Sequence, residues 1–219
     1  NHMIDKFIKG CKYRDTGSWR YNLDDQFNLA FASGDRSIEN CGGIRRRYFI
    51  CDDHDFRIKI NQHKIPSVLV LMTRNDSVPG PDNPWNDEIN GENLVYHGDN
   101  KSPKSYHLMQ GCKNLTNVYA LKNSDQNYLI PPILHFSKYK TGYVTFNGVF
   151  EFKEIGVYNF SHNGFEVENL ECQLKLIDDS VNMKWIRERT LSKSINELIR
   201  IDKKYNCYKC RFDYVCNEQ

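Results

Sequence analysis

The sequence predicts an α+β fold that is mostly β: a curved antiparallel sheet or barrel with flanking helices and a helical C-terminal end. Three observations carry this. The chain holds 13 Tyr, 12 Phe and 3 Trp in 219 residues, a content that suits aromatic-filled sheets better than a Leu/Ala helical bundle. His162-Asn163-Gly164 lies between two runs of strand character, and Asn-Gly supplies the positive φ angles that a tight hairpin needs. After Asp178-Asp179 the apolar spacing becomes helical.

The elements follow in order. Residues 6–13 form a first strand of mixed character. Leu23, Phe27, Ala30 and Phe31 have helical spacing after Asn22. Residues 33–47 are polar and carry Gly34, Gly42 and Gly43, which reads as a loop. Residues 48–51, 56–60 and 67–72 are rich in branched and aromatic side chains and read as strands. Residues 75–84 form a stiff loop with Pro79, Pro81 and Pro84. Residues 94–96, 118–121, 133–136 and 143–152 read as further strands. Residues 157–160 and 165–170 flank the hairpin turn, and 172–177 extend its second arm. Val181, Trp185 and Ile186 then make one helical stripe. Ser194 with Glu197 forms a capping box ahead of Ile195, Leu198 and Ile199.

Length allows one large domain, or one domain with an appendage. Net charge is +2, so bulk electrostatics alone do not announce nucleic acid. Basic residues cluster instead: Arg45-Arg46-Arg47, then Lys101, Lys104, Lys113 and Lys122 interleaved with Tyr106 and Tyr119, then Lys138 and Lys140. Taken singly, each cluster reads first as a solvated, charge-balanced face; three of them flanking one aromatic slot favour a nucleic-acid partner. No apolar run reaches membrane-spanning length, so a membrane partner is not expected. Most of the 8 Cys stand singly, which suggests reduced thiols and a cytoplasmic setting. Cys207-x-x-Cys210 with Cys216 has metal-like spacing but lacks a nearby fourth ligand, so no metal site is assigned.

The most informative stretch runs from residue 83 to 101. Trp85 and Tyr96 stand around one carboxylate, Asp87. Two aromatic faces and one acceptor make a slot for a flat ring with polar edges, such as an extruded nucleobase. The carboxylate suits the cytosine 4-amine. Each residue also has a plain reading: Trp85 as a core anchor, Asp87 as a turn cap, Tyr96 as an ordinary strand residue.

This segment resembles the base pocket of SRA domains, the readers of 5-methylcytosine, through Trp85, Asp87, Gly91, Tyr96 and Gly98. Asn40-Cys41-Gly42-Gly43-Ile44-Arg45 is similar to a turn in the MspJI family of modification-dependent restriction endonucleases. Tyr96-His97-Gly98-Asp99-Asn100-Lys101, Pro131-Pro132-Ile133, the strand at 165–177 and Met183-Lys184-Trp185-Ile186 follow the same family's order. The resemblance spans residues 6–190. It implies an SRA-like domain that flips 5-methylcytosine or 5-hydroxymethylcytosine out of double-stranded DNA, with Trp85 and Tyr96 on the two faces and Asp87 on the amine. It further implies groove-reading loops, for which 33–47 and 123–140 are the candidates. Phosphate contacts are expected from the basic clusters, Arg45, Arg46, Arg47, Lys101, Lys104, Lys138 and Lys140, with Gly43 and Gly98 in the adjoining turns; Arg46 suits a phosphate or a major-groove guanine, and His97 a phosphate, a base edge or plain packing at the loop rim.

The expected organisation is an SRA-like recognition domain at 4–178 and a helical extension or linker at 179–219. The family's nuclease half, with its divalent metal (Mg), is expected as a partner domain outside this chain. That half would provide any homo-oligomerisation. No catalytic residue and no cofactor are assigned to the chain itself. Glu151-Phe152-Lys153 has a Glu-x-Lys look but reads as an alternating surface strand. Two other classes compete: an enzyme, nuclease or glycosylase, acting on the modified base, and an RNA- or protein-binding barrel.

Overall fold

A computed structural model describes residues 4–17, 23–31, 38–41 (39–41 as backbone only), 43–75, 78 and 83–205. The expected residues Cys207, Cys210 and Cys216, and parts of the loops at 33–47 and 75–84, lie outside these. One large sheet dominates. It comprises β3 (Glu39–Cys41), β4 (Ile44–Arg47), β5 (Val68–Arg74), β8 (Ile133–Lys140), β9 (Tyr143–His162), β10 (Phe165–Asp178), β7 (Asn93–His97) and β6 (Glu88–Asn90), in that spatial order, with β2 (Lys12–Arg14) also paired to β9. A separate short ladder joins β1 (Lys6–Ile8) to β11 (Ser180–Asn182). All pairs are antiparallel except β5–β8. The fold is therefore α+β and mostly β, as the composition indicated, but the sheet is curled and open, with β3 and β6 as its outer strands.

The degree of curling can be read from one contact. Four strand-to-strand steps separate β5 from β7, roughly 19 Å if the sheet were flat. Yet the Tyr96 hydroxyl on β7 donates to the Met72 carbonyl on β5 at 3.2 Å. Bulges help the sheet bend. One falls where His135 opposes Gly148 and Phe136 opposes Phe146, so that Asn147 is left over. Gly148 holds φ +122 there, and a Cβ at that position would sit 2.2 Å from the Leu176 side chain. The hairpin at the β9–β10 turn is as expected, with Asn163 at φ 52 and Gly164 at φ 81.

Each face of β5 and β8 has its own core. Val68, Val70, Met72, Leu134 and Phe136 join Phe7, Phe27, Phe31 and Phe146 on one side. Leu69, Leu71 and Ile133 join Tyr96, Leu115, Val118 and Phe150 on the other. The first cluster is built on rings, with Phe7–Phe136 and Phe136–Phe146 centroids both 5.0 Å apart. Helix α1 (Gln26–Phe31) buries Phe27, Ala30 and Phe31 as its spacing selects, together with Leu29, whereas Leu23 precedes the helix and is exposed.

Four expectations need correction. The run at 56–60 belongs to helix α2 (His54–His63), because Asp53 caps it by accepting from Phe56 N at 2.8 Å and Phe56 and Ile60 share one buried stripe. The run at 118–121 closes helix α3 (Gln110–Ala120), whose face is Cys112, Leu115 and Val118. A distant cap starts that helix: the Asp99 carboxylate accepts from Gly111 N and Cys112 N, both at 2.9 Å. Finally, the loop expected at 33–47 contains β3 and β4, and the strand expected at 48–51 makes no ladder.

At the C-terminal end, α4 (Met183–Thr190) and α5 (Ile195–Lys204) pack into the body. Val181, Met183, Trp185, Ile186 and Ile201 belong to the first core. Arg189, fully buried, pairs with Asp202 at 2.5 and 2.7 Å, and Trp185 Nε1 donates to the same carboxylate at 2.9 Å. Half of the capping box is present: Glu197 N donates to Ser194 Oγ at 3.1 Å, while the Glu197 carboxylate reaches one residue further back and accepts from Lys193 N at 3.0 Å. No helix among the described residues is long and apolar enough to cross a membrane.

Candidate nucleic-acid interface

A cleft of about 280 Å³ opens between the ends of β5 and β8 and the segment that precedes β6. Its lining includes Thr73, Trp85, Asp87, Ser137 and Tyr139. The space is ample for a single flat pyrimidine. Curling creates it: β5 and β8 form one wall, and residues 83–87 return across their ends. Asn83 fastens that return by donating to the Arg74 carbonyl at 3.1 Å.

Trp85 is half-buried, and its indole N–H donates to the Asn100 carbonyl at 3.0 Å. Asn100 is itself fully buried and donates to the Lys104 and Glu168 carbonyls at 2.8 and 2.7 Å. The indole is therefore tethered to a loop stitched onto β10.

Asp87 lies in a nest of donors. One carboxylate oxygen accepts from the His97 backbone N–H at 3.0 Å and faces His97 Nδ1 at 2.9 Å. The other accepts from the Thr73 hydroxyl at 2.7 Å. His97 is buried, with Nε2 3.3 Å from Glu171. Burial pulls its pKa down, but Asp87 and Glu171 outweigh burial and the net shift is upward. Behind Thr73 stands His135, whose Nε2 is 2.8 Å from the Thr73 hydroxyl. His135 is fully enclosed, and burial, opposed only by the Asp87 charge, lowers its pKa to about 4. Its Nδ1 faces Asn147 at 3.0 Å.

Tyr96 does not form the second aromatic wall. Strand alternation turns it inward with Leu94, its ring is 2% exposed, and it packs edge-on to His135 at 6.0 Å. Its hydroxyl is occupied by Met72. Tyr139, at 55% exposure on β8, is the aromatic ring that shares the cleft with Trp85.

The basic residues divide. Arg46 and Arg47 are buried, Arg46 donating to the Tyr48 hydroxyl at 2.7 Å, and Arg45 lies over the Phe27 ring at 5.3 Å. These three are integrated into the sheet rather than presented as a free basic loop. Lys138 is held by the buried Asp15 carboxylate at 3.1 Å. Lys101, Lys104 and Lys140 are exposed. Gly43 and Gly98 serve close packing: a Cβ on Gly43 would meet Met72 O and Tyr96 Oη at 2.6 Å, and one on Gly98 would meet Asn169 Oδ1 and Cys112 Sγ at 2.6 Å.

The sequence reading missed Thr73, His135, Ser137, Tyr139 and Asn147. A usable signal was present in Ile133-Leu134-His135-Phe136-Ser137, where polar residues alternate inside an apolar strand and so share one face.

This curled sheet and its flanking helices are an SRA-like fold, the class of the DNA-recognition domains described next. Residues 7–209 match the family model "Restriction endonuclease AspBHI N-terminal", and the chain belongs to that family. The structure is similar to the DNA recognition domain of the cytosine modification-dependent restriction endonuclease LpnPI, with TM-score 0.64, 22% identity, and coverage of 87% of this chain and 85% of that one. It is also similar to the DNA modification-dependent restriction endonuclease AspBHI (TM-score 0.63, 18% identity, 87% of this chain) and to the MspJI restriction endonuclease in complex with a 27-mer oligonucleotide (0.65, 15%, 90%). The chain spans only 47% and 51% of those two proteins. No curated protein sequence matches it.

Proposed function

We propose that this chain binds double-stranded DNA carrying 5-methylcytosine or 5-hydroxymethylcytosine, as the recognition domain of a modification-dependent restriction endonuclease. The modified base leaves the duplex and enters the cleft between Trp85 and Tyr139, and its 4-amine donates to Asp87. The observation that carries the reading is Asp87 itself: a carboxylate fixed by Thr73 and His97, at the wall of a base-sized cleft with Trp85 on its rim.

The energetics are balanced. Extruding a base costs a few kcal/mol. Stacking on an aromatic ring returns about 1–3 kcal/mol per base. Burying the 5-methyl group adds only about 0.8 kcal/mol, so methyl preference depends on the shape of the cavity wall. Asp87 selects on the polar edge, because thymine presents a carbonyl where cytosine presents an amine. Lys101, which follows the Asn100 that tethers Trp85, and Lys140, which follows Tyr139, supply phosphate contacts together with Lys104. DNA cleavage, its divalent metal and any oligomerisation belong to the nuclease domain expected outside this chain.

The test is a binding titration with one short duplex, with and without a central 5-methylcytosine, for the wild type and Asp87→Asn. The wild type prefers the modified duplex, and Asp87→Asn, which puts an amide donor where the 4-amine needs an acceptor, binds it no better than the wild type binds the unmodified one. Undiminished affinity of Asp87→Asn for the modified duplex refutes the pocket assignment. Cutting of the modified duplex by this chain alone, with Mg²⁺ added, refutes a recognition-only role.

A further inference from the structure

We infer that Thr73, His135 and Asn147 form a directional hydrogen-bond chain that commits Asp87 to accepting, and that these positioning residues set the pocket's choice of cytosine over thymine. This rests on the base-binding reading above and deepens it.

The direction follows from counting protons. Asn147 Nδ2 lies 2.7 Å from Ser137 Oγ and 3.0 Å from His135 Nδ1. Its amide N–H bonds donate to both, so His135 Nδ1 accepts. The imidazole is fully buried, and burial keeps it neutral. A neutral ring that accepts at Nδ1 carries its one proton at Nε2. That proton goes to Thr73 Oγ1, 2.8 Å away. Thr73 also has a single proton, and with its oxygen already accepting, that proton goes to Asp87 Oδ2 at 2.7 Å. Every link donates toward the carboxylate. The reverse direction would put the one imidazole proton on Nδ1, where it would face the Asn147 amide N–H, two donors against each other.

The backbone is shaped for this chain. Asn147 is the residue left over in the β8–β9 ladder, between the His135–Gly148 and Phe136–Phe146 pairs. A bulge re-aims the side chain it carries. Here the amide is brought onto the face that holds His135 and Ser137 on the neighbouring strand. Gly148 permits the turn, since its φ of +122 is one that side-chain-bearing residues rarely adopt.

The consequence is a pocket that offers only acceptor capacity at Asp87. A cytosine amine is received. A thymine O4 finds no donor and faces a carboxylate oxygen. Because 5-methylcytosine and thymine share the 5-methyl group, the two bases isolate this effect.

The test compares two duplexes that differ only in the central base opposite guanine, 5-methylcytosine or thymine, in competition binding. Thr73→Val should reduce the preference for 5-methylcytosine roughly tenfold, the scale of one hydrogen bond to a charged group, and Thr73→Ser should restore it. His135→Phe should lose preference in the same way, while His135→Gln, which can still donate, retains part of it. Either pair decides the matter if one variant fails to fold. Undiminished preference in a folded Thr73→Val or His135→Phe overturns the inference, as does an equal loss in Thr73→Ser and Thr73→Val. Asp87→Asn is the control. If it discriminates like the wild type, the base-pocket reading itself fails. If it loses preference while Thr73→Val and His135→Phe keep theirs, only the directional chain fails.

Discussion

Replacing His135 with Gln should flatten the acid limb of the protein's stability curve. In the folded chain burial holds the His135 pKa near 4, whereas an exposed histidine in the unfolded chain titrates near 6.5. Between these values the unfolded state takes up a proton that the folded state refuses. Protons therefore favour unfolding, and stability falls as pH drops from about 6.5 toward about 4. At about 1.4 kcal/mol per pH unit the full loss is about 3 kcal/mol. His97 works in the opposite sense. Burial lowers its pKa, but Asp87 and Glu171 raise it further, so the net folded value is elevated. Its contribution is complete below the unfolded pKa and is lost as pH rises through the folded one. The wild-type curve sums both, and comparison with His135→Gln isolates His135. The assay is urea unfolding followed by tryptophan fluorescence, from about pH 7.5 down to about pH 4. The variant starts less stable, since it disturbs a buried network, and the gap narrows by about 3 kcal/mol on acidification. Parallel curves would refute the buried, neutral His135.

Three further outcomes are expected. Asp202→Ala strands the Arg189 guanidinium inside the body and should cost about 3–5 kcal/mol in urea unfolding; a cost under about 1 kcal/mol would mean that α5 is not integral to the fold. Tyr139→Ala should weaken binding of the modified duplex by about 1–3 kcal/mol, the worth of one stacked base, in a titration where Tyr96→Phe keeps the preference for modified cytosine; the opposite ranking would return Tyr96 to the pocket. Lys101→Ala with Lys140→Ala should weaken binding to modified and unmodified duplexes alike. The slope of log K against log salt should then fall by about 2, and an unchanged slope would remove both from the phosphate contacts.

Much of the architecture was legible because it rests on local rules. The Asn163-Gly164 turn and the Ser194–Glu197 cap are each written in a few adjacent residues, and the aromatic content alone pointed to ring-filled sheets. Helices α2 and α3 were not legible, because Phe56, Ile58 and Ile60, or Val118, Tyr119 and Leu121, imitate strands in a short window. What decides them is capping, by Asp53 from three residues away and by Asp99 from twelve. The arginine run misled for a related reason: Gly42 and Gly43 suggested an exposed loop, while pairing to β5 places Arg46 and Arg47 among buried side chains.

The candidate site divides along the same line. Trp85 and Asp87 were readable from their spacing within one segment. Thr73, His135, Tyr139 and Asn147 come from three different strands, and only the curl of the sheet brings them to that segment. Tyr96 was misplaced because spacing alone ignores alternation. In β7 it is His97 that turns toward Asp87, while Leu94 and Tyr96 face the core.

The account stands on a base leaving its stack to reach Asp87, and one fluorescence measurement tests this most directly. A duplex carries 2-aminopurine immediately beside the central 5-methylcytosine, where stacking quenches its emission. Saturating binding by the wild-type chain should raise that emission, because the neighbour it stacks on has been withdrawn. Full binding with unchanged emission would contradict base extrusion and leave groove reading in its place.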